Sequence, residues 1–227
     1  MAITLGTVTF DERHTTVQEK HEETGGRDAR KIAITGMILG EASVEAIEAR
    51  LDSILDAASE SGLAALSLRP GRRLWVRRMA FSREVAHGPL AGSFTLQLEA
   101  PDPFEESLAV HETDWAITAS GDMIELAASG NAASRTVIEI TATGRLVNPS
   151  VSDGSATLVY EGIVEAGHTL VMDGVQSRVL LDGEDVTPYT SGTFPRIAPE
   201  GTILTYRDDA SSAHACEAVV SYRDRWW

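Results

Sequence analysis

The stretch from Ser93 to Glu99, with the sequence SFTLQLE, alternates polar and apolar residues, and Pro101 and Pro103 follow it closely. A period of two is typical of a β-strand with one buried face and one face in water. Each proline lacks a backbone donor and has a fixed φ, so a strand ladder cannot continue through this segment. The sequence therefore predicts a strand that ends in a stiff segment, with a boundary between two folds at residue 104.

The part before this boundary contains one clear helix. Apolar residues recur at intervals of three and four from Val44 to Ala58, which is typical of an amphipathic helix, and Ser43 is a suitable N-cap. A helix of this length is marginal alone, so we expect it to lie on a sheet. Lys31–Leu39 is a candidate strand, and Ala65–Val85 reads as a hairpin that turns at Pro70-Gly71. We predict that residues 1–104 form a β-sandwich with one α-helix.

The part after the boundary has short strand candidates and no convincing helix. Turn signals such as Asn148-Pro149, Asp153-Gly154 and Asp182-Gly183 separate these strands. Short strands at this spacing favour an antiparallel sandwich of the jelly-roll type. We therefore predict a mainly β protein, with residues 105–227 as a second β-sandwich.

The segment from Asp11 to Arg30 is almost entirely polar and has no apolar periodicity. It is interpreted either as a long mobile loop or as a protruding hairpin. His14 and His21 with neighbouring acidic residues could in principle bind a metal, but their spacing matches no recurrent ligand pattern. A solvated charged segment is the preferred interpretation, and no metal site is predicted.

The chain is strongly acidic, with a formal net charge of −15. Phosphate contacts need a positive surface, so we expect no direct nucleic-acid binding. An acidic surface suits a lining past which DNA slides without sticking, although solubility alone also explains it. No apolar run of membrane-spanning length and no signal-peptide pattern occurs, which predicts synthesis in the cytoplasm without membrane insertion.

Five arginines concentrate positive charge within this acidic chain. A nucleic-acid patch is conceivable, but no aromatic residues are interleaved for base stacking. Because arginine pairs well with carboxylates, a subunit interface is the preferred interpretation. The candidate interface residues are Arg72, Arg73, Arg77, Arg78 and Arg83.

No phosphate-binding glycine loop, zinc-protease motif or nucleophile elbow is present, so no catalytic or cofactor-binding residue is predicted. The nearest approach to a catalytic or metal site is Asp208 and Asp209 with His214 and Cys216, for which a turn is the preferred interpretation. The last residues carry three large aromatic side chains. Packing within the protein, anchoring a partner and stacking on a sugar all remain open for Tyr222, Trp226 and Trp227.

Several segments together resemble one protein family. They are GRRLWVRR from Gly71, FSREV from Phe81, GSFTLQLEAPDPFE from Gly92, SGNA from Ser129, ATGRLVNP from Ala142 and LVYEG from Leu158. The order and residue pattern of these segments resemble those of siphophage distal tail proteins. The resemblance extends along the chain from about Lys31 onward. The resemblance does not include the segment from Asp11 to Arg30.

The resemblance implies an N-terminal β-sandwich with a helix and a C-terminal galectin-like β-sandwich. It implies that six copies form an open ring at the tail tip, made in the host cytoplasm and carried on the virion. Such a ring joins the tail tube protein to the tail hub or tail-associated protein and lets DNA pass. Residues 1–104 would build the ring, and Ser93, Thr95, Gln97 and Glu99 would face its lumen or a neighbouring subunit.

Two other functions remain as alternatives. The first is a carbohydrate-binding module that attaches to a host cell-surface glycan through Tyr222, Trp226 or Trp227. Relatives that bind sugar have longer insertions in the second domain, and this compact chain has none, which favours the ring. The second alternative, a hydrolase that uses Asp208, Asp209 and His214, has the least support.

Overall fold

The computed structural model describes residues 2–24, 27–58, 62–88 and 90–227. The described chain forms two compact units. The N-terminal unit comprises the described residues up to Leu108 together with Trp227, and the C-terminal unit comprises Ala109–Trp226. Both are built from strands, and the described residues contain one α-helix, so the predicted mainly β fold is confirmed. Among the described residues, no helix is both long enough and apolar enough to cross a membrane.

The N-terminal unit contains eight strands and the helix. They are β1 (Ile3–Leu5), β2 (Val8–Phe10), β3 (Thr15–Thr24), β4 (Arg27–Leu39), α1 (Val44–Ala57), β5 (Ala64–Ser67), β6 (Arg72–His87), β7 (Leu90–Ala100) and β8 (Glu105–Ser107). The strand order is β2-β1-β5-β6-β7-β4-β3, and β8 also pairs with β6. The 16-residue strand β6 pairs with β5 through Leu74, Trp75 and Val76, and its second part, from Arg77 onward, pairs with β7. A register shift lies between Arg78 and Ala80. Such a bulge bends a strand, which lets β6 serve both halves of the unit.

The helix begins as the sequence predicts. The Ser43 side chain accepts a hydrogen bond from the backbone N–H of Ala46, which caps the first turn. The buried face of α1 carries Ile47, Leu51 and Ile54. This face packs on β7 at Gly92, where an added Cβ would lie 2.5 Å from Cγ2 of Ile47. Glycine is therefore required there for the helix to approach the sheet closely.

The polar segment from Asp11 to Arg30 forms a hairpin rather than a loop. Strand β3 pairs antiparallel with β4 along its whole length, from Thr15 opposite Gly36 to Thr24 opposite Arg27. Residues 25 and 26 lie outside the described part of the chain. The hairpin alternative is therefore the correct one, and its polar sequence reflects a strand with little buried surface.

Strand β7 has the alternating burial that its sequence predicts, with Phe94, Leu96 and Leu98 buried. It ends at Ala100, before the prolines. The chain then returns to the same neighbour, because β8 pairs Glu106 with Arg73 of β6. The segment with the two prolines is thus a short interruption within the N-terminal unit, which extends to Leu108, whereas the predicted boundary lies at residue 104.

The C-terminal unit contains fifteen strands and a short 3₁₀ helix among its described residues. The strands are β9 (His111–Ile117), β10 (Met123–Leu126), β11 (Ser134–Ala142), β12 (Leu146–Val147), β13 (Ser150–Ser152), β14 (Thr157–Tyr160), β15 (Ile163–Val164), β16 (Thr169–Asp173), β17 (Arg178–Leu181), β18 (Glu184–Asp185), β19 (Thr190–Gly192), β20 (Arg196–Ile197), β21 (Thr202–Arg207), β22 (Cys216–Tyr222) and β23 (Arg225–Trp226), and the 3₁₀ helix spans Thr187–Tyr189.

Two antiparallel sheets of this unit enclose its core. One has the order β18-β17-β16-β11-β22-β9, with β20 also on β11, and the other has the order β10-β21-β13-β14-β19. Ile138, Val220 and Tyr206 are among the fully enclosed core side chains. The predicted turn at Asp182-Gly183 joins β17 to β18 with φ values of +50° and +86°, as a tight hairpin turn requires.

Candidate assembly surface

A four-stranded antiparallel sheet dominates the surface of the N-terminal unit. It consists of the second part of β6, then β7, β4 and β3. One face packs into the core through Ile32, Ile34 and Leu96. The opposite face is not covered by any element of the N-terminal unit that the structure describes. We call this opposite face the open face.

The register of the four strands aligns the side chains of the open face in rows. One row contains Ser82, Thr95, Thr35 and Thr16, the next contains Ala80, Gln97, Ala33 and Gln18, and the third contains Arg77, Glu99, Lys31 and Lys20. All four predicted residues of β7, namely Ser93, Thr95, Gln97 and Glu99, lie on this face. The strand assignment is thus right about which residues share a face, and their role in a lumen or interface stays a prediction.

The open face is nearly neutral in charge. Its centre carries hydroxyl, amide and methyl groups, whereas its charged end is internally paired. Arg77 Nη2 lies 2.7 Å from Glu99 Oε2, and Lys20 Nζ and Lys31 Nζ lie 2.6 and 2.5 Å from the two oxygens of Glu22. The hydrogen bonds from the two lysines lower the pKa of Glu22 to about 2. The acidic lining expected from the net charge is therefore absent from this face.

Both edges of the four-stranded sheet lack a partner strand within the described residues. Strand β3 pairs only with β4. Beyond the bulge, β6 pairs only with β7. Unpaired strand edges present rows of backbone N–H and C=O groups that can pair with another chain. Among the described strands of the unit, these two edges carry the longest rows of backbone N–H and C=O groups that no neighbouring strand pairs.

The five predicted interface arginines all lie on β6, and at least four of them form ion pairs within the N-terminal unit. Arg73 Nε lies 2.7 Å from Glu106 Oε1, and Arg77 pairs with Glu99 as described. Arg83 pairs with Asp52 of α1, and Arg72 Nη1 lies 3.7 Å from Glu105 Oε2. Arg78 is exposed. These contacts support the fold, and a role of the arginines between subunits stays a prediction.

A buried ion cluster joins β3, β4, β8 and the turn before β6. Arg30 is 2% exposed and donates to Glu19, to Glu105 at 3.1 Å and to the carbonyl oxygen of Pro103 at 3.3 Å. Glu105 is 3% exposed and also pairs with Arg69. No local sequence pattern predicts this cluster, because its members are far apart in the chain. A charged residue on the inner side of a strand, as at Glu19, is the only available hint.

Only some of the residues considered for a hydrolase site contact one another. His214 Nδ1 lies 2.6 Å from Asp208 Oδ1, and the Tyr206 hydroxyl donates to the other oxygen of Asp208 at 3.1 Å. Cys216 is 3% exposed, and burial raises the pKa of its thiol to about 12, so it is a poor nucleophile. Asp209 instead accepts the N–H and hydroxyl of Ser211, which is the turn that the sequence predicts. No group of three or more potential metal ligands occurs among the described residues.

The three aromatic residues near the end of the sequence have different surroundings. Tyr222 is buried, stacks on His111 with a centroid distance of 5.0 Å, and donates its hydroxyl to the carbonyl oxygen of Ala127. Trp226 is half-buried. Trp227 is 49% exposed and contacts Phe104 within the N-terminal unit, with ring centroids 5.1 Å apart. Of these three residues, only Trp227 therefore offers a large exposed aromatic surface.

The comparisons with known proteins point to one group. Residues 129–226 match the family described as the C-terminal domain of the siphovirus-type tail component. The whole chain is similar to the crystal structure of the Dit protein of SPP1, with a TM-score of 0.69, 12% identity, and coverage of 100% of this chain and 99% of that one. That protein is described as a paradigm of the hub adsorption apparatus in phages that infect Gram-positive bacteria. No curated protein sequence matches the chain significantly.

Proposed function

Because residues 129–226 belong to the siphovirus-type tail component family and the whole chain has the fold of a siphophage distal tail protein, we propose that it is a structural ring subunit of a phage tail tip. In this proposal six copies close into a ring. The ring joins the tail tube protein to the tail hub or tail-associated protein and lets the genome pass. The protein acts as an assembly part of the virion and not as an enzyme.

The observation that carries this proposal is the four-stranded sheet with two unpaired edges. Strand β3 of one copy pairs with the second part of β6 of the next copy, which makes a head-to-tail contact. Head-to-tail contacts generate rings when the rotation between copies closes. Pairing at every contact joins all the sheets into one barrel and removes every free edge.

The charges of the two edge strands support this pairing. Strand β3 carries three glutamates and one lysine, whereas β6 from Arg77 onward carries three arginines and one glutamate. The edges therefore have opposite net charges. Opposite charges across a strand pair are favourable and like charges are not. The predicted interface residues Arg77, Arg78 and Arg83 all lie on the basic edge.

The size of such a barrel agrees with six copies. About 24 strands, spaced about 4.8 Å apart and tilted about 40°, close at a backbone diameter of roughly 48 Å. Side chains of about 5 Å on each wall leave an opening of roughly 38 Å, wider than a DNA duplex of about 20 Å. Three copies would give a backbone diameter of roughly 24 Å, too narrow for a duplex once side chains are added. A DNA-conducting ring of this sheet therefore needs more than three copies.

The chemistry of the open face suits a lumen. DNA binding depends on cationic side chains that neutralise phosphates. The centre of this face carries Ser, Thr, Gln and Ala instead, and its lysines are paired with Glu22. A duplex that meets such a wall finds neither strong attraction nor strong repulsion, so it can slide.

The carbohydrate-binding module remains a second candidate through one observation, the exposure of Trp227. The face of Tyr222 is covered by His111, which leaves it no face for a sugar. Binding to a glycan array that disappears in Trp227→Ala would favour this candidate. Absence of array binding, together with ring formation, would favour the ring.

Native mass spectrometry and negative-stain microscopy test the ring, with the protein alone and with its tube partner. We expect a sixfold ring that dissociates as salt rises. Arg78→Glu should weaken the ring, whereas Arg145→Glu, on an exposed arginine of the C-terminal unit, serves as a matched control and should not. A strict monomer under both conditions would overturn the proposal.

A further inference from the structure

One strand edge of the C-terminal unit is long and unpaired. Strand β9 pairs with β22 through all seven of its residues, from His111 opposite Tyr222 to Ile117 opposite Cys216. It is the last strand of its sheet, and no described strand pairs with its other edge. The strands at the other ends of the two sheets that enclose the core, β10, β18 and β19, contain only four, two and three residues. Among the described strands of this unit, β9 therefore offers the longest free row of backbone N–H and C=O groups at a sheet end.

Strand β9 lacks most of the features that stop an edge from pairing with another chain. Short length, proline, lysine and β-bulges commonly protect edge strands. The sequence HETDWAI contains neither proline nor lysine, and its pairing with β22 has no register shift. Trp115 and Ile117 are buried on the core side, whereas Glu112, Asp114 and Ala116 are exposed on the outer side. The two carboxylates are thus the main protection of this edge, and they repel an acidic strand but attract a basic one.

The acidic character of this edge continues onto the neighbouring strands. The outward residues of β9, β22 and β11 form three rows, which are Glu112, Ser221 and Val137, then Asp114, Val219 and Glu139, then Ala116, Glu217 and Thr141. The four carboxylates of these rows form neither an ion pair nor a hydrogen bond with any described residue. Arg135 and Arg223, which adjoin the rows at one end, already take part in other contacts. Diagonal neighbours on adjacent strands lie within about 8 Å, so Glu217 is close to both Asp114 and Glu139, and an occupant that supplies cations relieves their repulsion.

A second copy of β9 does not fit this edge. Two antiparallel β9 strands would place the carboxylates of Glu112 and Asp114 from both copies on one face, and like charges across a strand pair are unfavourable. A nucleic acid is excluded as well, because its phosphates would meet the same carboxylates. A free strand edge accepts an extended peptide through main-chain hydrogen bonds. The edge therefore fits an extended segment of a different protein that carries basic side chains.

We propose that the free edge of β9 binds an extended, basic segment of another protein by strand addition. The backbone of that segment pairs with β9 and adds one strand to its sheet. Because side chains alternate between the two faces of a strand, every second residue of the segment lies on the side of Glu112 and Asp114. The segment therefore carries lysine or arginine at two positions that are separated by one residue. This surface is separate from the proposed ring contact, which uses β3 and β6 of the N-terminal unit.

Fluorescence anisotropy and hydrogen exchange of the full chain test the proposal with a synthetic peptide, Ser-Val-Lys-Val-Lys-Val-Ser-Gly. We expect this peptide to bind and to increase the protection of the β9 amides. The same peptide with glutamate in place of both lysines should not bind. Two further versions carry N-methyl groups on one or the other alternate set of backbone amides. At least one of them should bind at least about tenfold more weakly, because it loses strand hydrogen bonds while it keeps both charges.

Charge reversal on the protein tests the edge itself. Glu112→Lys and Asp114→Lys should each weaken binding of the lysine peptide about five- to thirtyfold, because each turns a favourable charge pair into a repulsive one. Glu184→Lys is the matched control, because it changes an exposed acidic residue of β18 at the opposite end of the same sheet and should leave binding unchanged.

Three results would each overturn the proposal. The lysine peptide does not bind, or both methylated peptides bind as well as the unmodified one, which would show attraction by charge alone. In the third, Glu184→Lys weakens binding as much as Asp114→Lys does. Thermal unfolding of each variant verifies that it is folded, and none of these results depends on ring formation.

Discussion

Replacement of Glu105 by glutamine tests the buried ion cluster that fixes the base of the β3–β4 hairpin. Glu105 lies within 3.1 Å of Arg30 and within 3.7 Å of Arg72, and it also pairs with Arg69. Its side chain is 4% exposed. Glutamine has nearly the same volume, so the change removes the charge without leaving a cavity.

The expected loss follows from the burial of both partners. Arg30, whose side chain is 3% exposed, keeps its charge but retains only Glu19 as an ionic partner. Removal of one partner from a buried pair costs about 3–5 kcal/mol, because the other charge stays buried without full compensation. Since the remaining glutamate still compensates in part, we expect about 3 kcal/mol. For a unit of this size each kcal/mol lowers the melting temperature by roughly 4–8 °C, which gives a fall of roughly 12–24 °C.

Hydrogen exchange and calorimetry measure this effect in the full chain. The amides of β3 and β4 should lose protection in Glu105→Gln, and the transition of the N-terminal unit should move to lower temperature. Glu84→Gln, on the exposed side of β6, is the control and should change the free energy of unfolding by less than about 0.5 kcal/mol. If Glu105→Gln behaves like this control, the cluster does not stabilise the hairpin and the reasoning fails.

A double-mutant cycle measures the coupling free energy between Arg30 and Glu105 apart from their other contacts. Arg30→Met alone should be strongly destabilising, because it leaves Glu105 and Glu19 close together with fewer cations. Combined with Glu105→Gln, it should cost at least about 1 kcal/mol less than the sum of the single changes, since contacting charges are coupled. Strict additivity would show that the two residues act independently.

Three further predictions concern single positions. The Cys216 thiol, whose pKa is raised to about 12 by burial, should react with iodoacetamide at pH 8 only as fast as the C-terminal unit unfolds, and rapid labelling of the folded protein would contradict its burial. Gly92→Ala should destabilise the N-terminal unit by about 1–3 kcal/mol, measured by urea unfolding, because the new methyl group meets Ile47. Glu22, with its pKa lowered from 4.5 to about 2, stabilises the hairpin fully above pH 4.5. That contribution is lost as pH falls toward 2. Glu22→Gln should therefore flatten the pH dependence of amide hydrogen exchange in β3 between pH 4.5 and about 2.

Local periodicity allowed the sequence to predict the elements that have one buried face. Strand β7 and helix α1 each place apolar residues at the period of their own geometry, and Ser43 caps the helix as its type predicts. For the same reason, the sequence of the β3–β4 hairpin is compatible with both a loop and a hairpin. Strand β3 buries so little that Val17 is its sole large apolar residue, and a polar strand cannot be told from a loop by periodicity.

Long-range contacts could not be predicted from periodicity. Glu19, Arg30 and Glu105 meet only after β3, β4 and β8 have taken their places in the sheet. A proline pair likewise predicts that a strand stops, but not that the chain resumes pairing with the same neighbour four residues later.

In the proposed ring, the arginines of β6 would serve both the fold and the assembly. Arg77 and Arg83 are paired within their own subunit, yet they lie on a strand whose outer edge has no partner within the described residues. A free edge in a monomer invites unspecific pairing, and charged side chains are a common protection against it. Because Arg77 and Arg83 are already ordered by internal ion pairs, little side-chain entropy would be lost when an acidic β3 edge arrives. The proposed contact would gain strand hydrogen bonds and charge complementarity together, whereas two basic edges would repel each other. The same charges that protect the free edge would thus select the head-to-tail contact of the proposed ring.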